Sequence, residues 1–168
     1  MLSYILLFTI ILFGTTATAK PTALNPIIMK NSKAIYIVDG DSISLSMRIK
    51  GIDTPEKHQK CRKNATEIIN CGTIAKEYLR ILLNNIEGEL YIDTVGFGYY
   101  GRALVNVYKG EINIGKMMVE EGMAYAYGKE YKEFEDIARI GKVGFWGYYT
   151  PPLKPKLWRK RYGKKFFK

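Results

Sequence analysis

Val38-Asp39-Gly40-Asp41-Ser42-Ile43-Ser44-Leu45-Ser46-Met47-Arg48-Ile49-Lys50-Gly51-Ile52-Asp53-Thr54-Pro55-Glu56 is the stretch on which the rest of the chain turns. It places the acids Asp39, Asp41, Asp53 and Glu56 close to one arginine, Arg48. Between them run Ile43, Leu45, Met47, Ile49 and Ile52, a pattern that suits short half-buried strands. Gly40 and Pro55 mark the reversals. Carboxylates set among buried apolar side chains are costly unless they meet a cation or a hydrogen-bond donor. The stretch therefore requires a metal, an arginine partner, or both. Strand parity adds a constraint. Arg48 and Asp53 are an odd number of residues apart, so a regular strand would point them to opposite faces. They reach one site only if the chain bulges or the strand ends between them, and Gly51 is the candidate for that break.

Working outward, the 168 residues suit one domain with tails. The net charge of +10 is uneven. Lys154, Lys156, Arg159, Lys160, Arg161, Lys164, Lys165 and Lys168 fall in the last sixteen residues, which hold no acid, while the body is nearly balanced. Such a segment favours polyanions, either nucleic acid or an anionic membrane surface. A solvated, disordered end is the alternative. Residues 1–19 carry no charged side chain and end in Ala17-Thr18-Ala19, which fits a secretory signal cleaved before Lys20. An uncleaved membrane anchor is the alternative, although the apolar run is short for a bilayer span of about 20 residues. Residues 20–32, broken by Pro21 and Pro26, read as a linker. The domain is expected over 33–150 and a basic C-terminal tail over 151–168. In an exported protein Cys61 and Cys71 are expected to pair; in the cytosol they would be two free thiols. With His58 the sole histidine, they do not make up a four-ligand zinc site.

The coarse pass gives strands at 33–38 and 43–47, a helix at 72–85, and strands at 89–95 and 102–108. A short helix at 112–121, an extended 123–127 and an amphipathic helix at 131–142 follow, the last with Phe134, Ile137, Ala138 and, more weakly, Ile140 inward. Short strands with helices beside them predict an α+β domain built on a small barrel.

Asp39-Gly40-Asp41-Ser42, Arg48, Ile52-Asp53-Thr54-Pro55-Glu56 and Tyr100-Gly101-Arg102, in this order, resemble the staphylococcal nuclease-like (thermonuclease) family. The resemblance runs from about Lys33 to Trp146. Cys61, Cys71-Gly72, Pro152 and Trp158-Arg159 look like features of its exported bacterial members. The resemblance implies a five-stranded OB-fold barrel with about three packed helices. It implies calcium-dependent hydrolysis of phosphodiester bonds in DNA and RNA, leaving 3′-phosphate ends. By the same resemblance Asp41, Asp53 and the Thr54 carbonyl would hold Ca2+, with Asp39 orienting that cluster. Glu56 would be the general base, and Arg48 and Arg102 would bind the phosphate. Tyr100 and Tyr127 would lie against the nucleotide, and the same role is open for Tyr125, which packing would explain equally well. A monomer is expected.

The chemistry suits these residue types. A phosphodiester is an anion, so the site must neutralise it and deprotonate a water. Calcium takes flexible sets of oxygen ligands. A guanidinium forks onto two phosphate oxygens and stays charged. Each residue also has an ordinary reading. Asp39 and Asp41 suit turn acids around Gly40, Glu56 a helix-start acid, and Arg102 a partner for Asp93. A binding module without catalysis would be expected to lack Glu56, Arg48 or Arg102, yet all three are present. A membrane-surface protein held by its two ends is a third reading. The nuclease reading requires Asp41, Asp53, Glu56, Arg48 and Arg102 to line one pocket.

Overall fold

The computed structural model describes residues 35–166. The expected signal and linker, residues 1–32, lie outside the described residues. The chain opens with β1 (Ile35–Ile37), β2 (Ile43–Leu45), β3 (Met47–Ile49) and β4 (Ile52–Asp53). A small hairpin, β5 (Lys60–Arg62) and β6 (Ile68–Asn70), leads into α1 (Cys71–Asn85). Then come β7 (Leu90–Phe97), β8 (Ala103–Lys109), β9 (Ile112–Asn113) and α2 (Ile114–Glu120). The last elements are β10 (Tyr125–Ala126), α3 (Lys132–Ile140), a 3-10 turn (Gly144–Gly147) and α4 (Pro155–Phe166).

The α+β class holds. The main sheet has β8 at its centre, parallel to β3 on one side and antiparallel to β7 on the other, with β9 folded back on its end. Alternation along β8 turns Ala103, Val105 and Val107 into the core, where they meet Ile114, Met118 and Val119 of α2 and Leu82 of α1. The closed five-stranded barrel is not found among the described residues. The expected strand at 43–47 is interrupted at Ser46, and β1 and β2 pair only with each other. Ile37, Val38 and Ile43 are exposed, so no buried apolar face draws that hairpin onto the sheet.

Two helices depart from the expected pattern. In α3 the buried face is made by Tyr131, Glu135 and Ala138, with Phe134 packed beside them, while Ile137 and Ile140 face solvent. A buried glutamate wins that position because it has partners: the Ala126 N–H donates to its Oε2 at 3.3 Å and Arg139 donates to its Oε1. The cationic C-terminal segment, for which a disordered end was open, forms α4 and is docked by Pro155 and Trp158, both buried. Among the described residues no helix is long and apolar enough to cross a membrane.

Cys61 and Cys71 form a disulfide, with Cα atoms 5.9 Å apart, that ties the β5–β6 hairpin to the start of α1. The bridge is buried with Ala75 and Phe145. A loop of this size is restrained by about 2–3 kcal/mol in the chain-entropy model. Changing both cysteines to serine is expected to lower the melting temperature by roughly 5–15 °C, read by circular dichroism. An unchanged melt would show that packing alone holds the hairpin.

Candidate active site

The site grows from the break between β3 and β4. Lys50 and Gly51 turn the chain, with Gly51 at φ +76°, the left-handed region that favours glycine. A Cβ there would sit 2.7 Å from the Tyr131 ring. The break that parity demanded therefore falls at Gly51, and it lets Arg48 and Asp53 meet. On its other side β4 pairs with β10, Tyr125 opposite Asp53, and the Tyr127 N–H donates to the Gly51 carbonyl at 2.8 Å. The Glu135–Arg139 pair on α3 holds β10 in turn.

Glu56 stands on the loop after β4, and three contacts fix its backbone. Its N–H donates to Gln59 Oε1 at 3.1 Å, and its carbonyl accepts from the Gln59 N–H at 2.7 Å. The first turn of α1 lies against it so closely that a Cβ on Gly72 would come within 1.8 Å of the Glu56 carbonyl oxygen. Gln59 is fully buried and donates from Nε2 to the Leu153 carbonyl at 2.5 Å. One amide side chain thus joins the Glu56 loop to the C-terminal segment. Neither Gln59 nor this link carries a sequence signal.

Asp53 is only 4 % exposed. Arg48 Nη2 donates to its Oδ1 at 3.0 Å and to the Ile52 carbonyl at 3.3 Å. The second partner comes from α4. Arg159 forks onto the carboxylate, Nη1 to Oδ1 at 3.0 Å and Nη2 to Oδ2 at 2.8 Å, and Nη1 also donates to Glu56 Oε1 at 2.6 Å. Hydrogen bonds to Asp53, opposed by partial burial and then reinforced by Glu56, raise the guanidinium pKa above its ordinary value. From sequence alone Arg159 falls in the basic tail. The Trp158-Arg159 pair was the signal that could have found it.

The remaining candidates divide. Arg102 is half-buried just before β8, and among the described residues it makes no ion pair; Asp93 bonds Asn106 instead. Arg48 lies beside Leu104 in the β3–β8 register, and alternation puts Arg102 on that same face of the sheet. Tyr127 is exposed, with Arg48 Cζ 5.8 Å from its ring centre. Thr54 is half-buried between Asp53 and Pro55. Tyr100 is exposed in the β7–β8 loop, edge-on to Tyr99. Tyr125 is a packing residue: it stacks edge-on to Trp146 and its hydroxyl donates to the Pro152 carbonyl, while burial pushes its pKa up to about 12. Asp41 departs from the expectation. It is exposed in the β1–β2 turn, where its carboxylate accepts from Ser42 Oγ at 3.1 Å and its N–H bonds Asp39. Bonds from Ser42 and Asp41 hold the Asp39 carboxyl below the usual range. Both acids act as turn residues in this arrangement.

Calcium therefore finds suitable donor types but not a donor set. Among the described residues no group of three or more acids, histidines or cysteines is gathered to hold a metal. Both oxygens of Asp53 are engaged by guanidinium groups. As arranged, the residues do not fit the ion. A cleft beside Asp53 is rimmed by Tyr127, Lys132, Lys154 and Lys156, so a polyanion meets positive charge on approach.

Residues 46–148 match the family model described as staphylococcal nuclease homologue. This chain belongs to that family. It is 29% identical over 135 residues to the thermonuclease of Staphylococcus hyicus, covering 75% of this chain and 74% of that one. It is 28% identical to the micrococcal nuclease of Shigella flexneri, covering 77% of this chain and 79% of the relative. A Haemophilus influenzae protein described as an uncharacterized endonuclease is 27% identical across 94% of this chain and 85% of its own length.

Gln59→Ala leaves the Glu56 N–H and the Leu153 carbonyl without partners. A loss of about 2–4 kcal/mol in denaturant unfolding is expected, with earlier protease cleavage of the C-terminal segment. Wild-type stability and protection would show that the buried amide does not join the two segments.

Proposed function

We propose that this chain is a nuclease that hydrolyses phosphodiester bonds in DNA and RNA with little sequence preference, leaving 3′-phosphate ends. The requirement that all five residues line one pocket is not met, since Asp41 stays in the β1–β2 turn; the observation that carries the reading is the convergence of Arg48, Asp53 and Glu56 where β4 ends, inside a matched family domain. Glu56 is the general base: its carboxylate stands at the surface of the group, about a fifth exposed, on a loop pinned from two sides. Arg48 and Arg102 take the phosphate from one sheet face, and their forks hold the charge that builds on its oxygens. Tyr127, beside Arg48, offers a ring to a base or sugar, and Tyr100 offers another from the β7–β8 loop. We also propose calcium dependence, on the family resemblance, and export, on the N-terminal run together with the Cys61–Cys71 bridge.

The reading is tested by digestion of DNA and of RNA, with calcium and with chelator. Glu56→Gln is expected to reduce kcat by roughly 10²–10⁴-fold. Arg102→Gln is expected to reduce it by roughly 10²–10³-fold. Equal hydrolysis by wild type and Glu56→Gln would reject Glu56 as the base. One observation favours a second reading, a protein that binds nucleic acid without cutting it: Arg159 engages the Glu56 oxygen. Retention of DNA with no cleavage in any sample would decide for that reading.

A further inference from the structure

The last helix carries positive charge that no acid answers among the described residues. Pro155 and Trp158 are buried and Arg159 is half-buried, which leaves Lys156, Lys160 and Arg161 exposed on the outward side of α4. Lys156 and Lys160 are one turn apart, so they stand in a row along the helix, spaced by about 6 Å. Lys154 is exposed just ahead of them. None of Lys154, Lys156, Lys160 and Arg161 forms an ion pair among the described residues.

The row begins at the candidate site. Lys154 and Lys156 line a cleft of about 400 Å³ together with Asp53, Tyr127 and Lys132. The acids of that cleft already have partners: Asp53 is met by Arg48 and Arg159, and Glu135 by Arg139 and Lys132. Lys154 and Lys156 are therefore excess charge there, and the partner they lack is an anion. We propose that Lys154, Lys156 and Lys160 form a phosphate track that grips a nucleic-acid strand beside the bond to be cut. The track lies beyond the matched family domain, which ends at residue 148. It rests on the nuclease reading for the identity of the polyanion.

α4 suits this partner in length, rigidity and chemistry. Its 12 residues extend about 18 Å. A duplex strand carries a phosphate about every 3.4 Å along the axis, so the helix runs beside several of them. The helix is held in place by the Arg159 fork on Asp53, by Gln59 on the Leu153 carbonyl and by Tyr125 on that of Pro152. Lysines meet phosphates as point charges and read no base edges, in keeping with little sequence preference. An anionic membrane is the poorer fit. Trp158, the side chain such a helix would sink into a bilayer, is buried in the domain instead.

The full chain, in chelator, is titrated with a fluorescent duplex of about 30 base pairs, and binding is read by anisotropy. The variant Lys154→Gln, Lys156→Gln, Lys160→Gln is expected to bind at least about tenfold more weakly than wild type at moderate salt. Its salt slope is expected to be shallower by roughly 2–3, one released contact for each lysine. A control removes the same charge from α1, the end of β8 and the turn after α3: Lys76→Gln, Lys109→Gln, Lys142→Gln. It is expected to weaken binding by less than about threefold. Equal losses in the two variants, no loss in the α4 variant, or no duplex binding by wild type would overturn the proposal. Vesicles rich in phosphatidylserine are the second probe. Vesicle binding that the α4 variant loses, with duplex binding unchanged, would assign the face to a membrane and overturn it too. Hydrolysis of DNA by wild type with one duplex affinity in all proteins would refute the track alone. Weaker duplex binding by the α4 variant, with no hydrolysis by any protein, would refute the nuclease reading alone.

Discussion

A carboxylate buried at the end of a two-residue strand has to be neutralised, and this fold is arranged around doing so for Asp53. Its position is set by β10 on one side and by the turn at Gly51 on the other. Its charge is met by Arg48 from the main sheet and by Arg159 from the last helix. Removing either partner would leave negative charge in a poorly solvated place, and that is strongly destabilising. Two distant parts of the chain are thus bound to one side chain by an electrostatic need, beyond the apolar packing that each has of its own.

The same need links stability to chemistry. Asp53 and Glu56 are close enough to share one guanidinium, that of Arg159. Arg48 belongs to the main sheet, and Arg102 stands just before β8. The sheet thus supplies one guanidinium to Asp53 and the C-terminal helix the other. Gln59 joins the Glu56 loop to the chain leading to α4 through its buried amide. The lysines that rim the cleft come from α3 (Lys132), the chain entering α4 (Lys154) and α4 itself (Lys156).

The β1–β2 hairpin stands apart from this network. It carries Asp39 and Asp41, yet its ladder ends at Leu45, and Tyr36, Ile37 and Ile43 face solvent. The acid expected beside Asp53 is therefore absent from the group, and Asp41 spends its hydrogen bonds inside its own turn. Local turn chemistry governs where no tertiary packing competes with it.

The sequence by itself determined the local features of this protein. The strand parity between Arg48 and Asp53 demanded a break, and covalent geometry left Gly51 as the place for it. The order of acids, arginines and glycines pointed to the family, and the strand over 102–108 was legible. The requirement that buried acids meet a cation was also legible. Which cation meets them was not. Arg159 is more than a hundred residues from Asp53, in a run of charges whose composition reads alike for a solvated end and a docked helix. The inward turn of Glu135 in place of Ile137 was likewise hidden, because it depends on a donor from β10. Only the tertiary structure decided these points, since each rests on a partner that the chain brings near after folding, and periodicity describes a residue's own element and not what lies across from it.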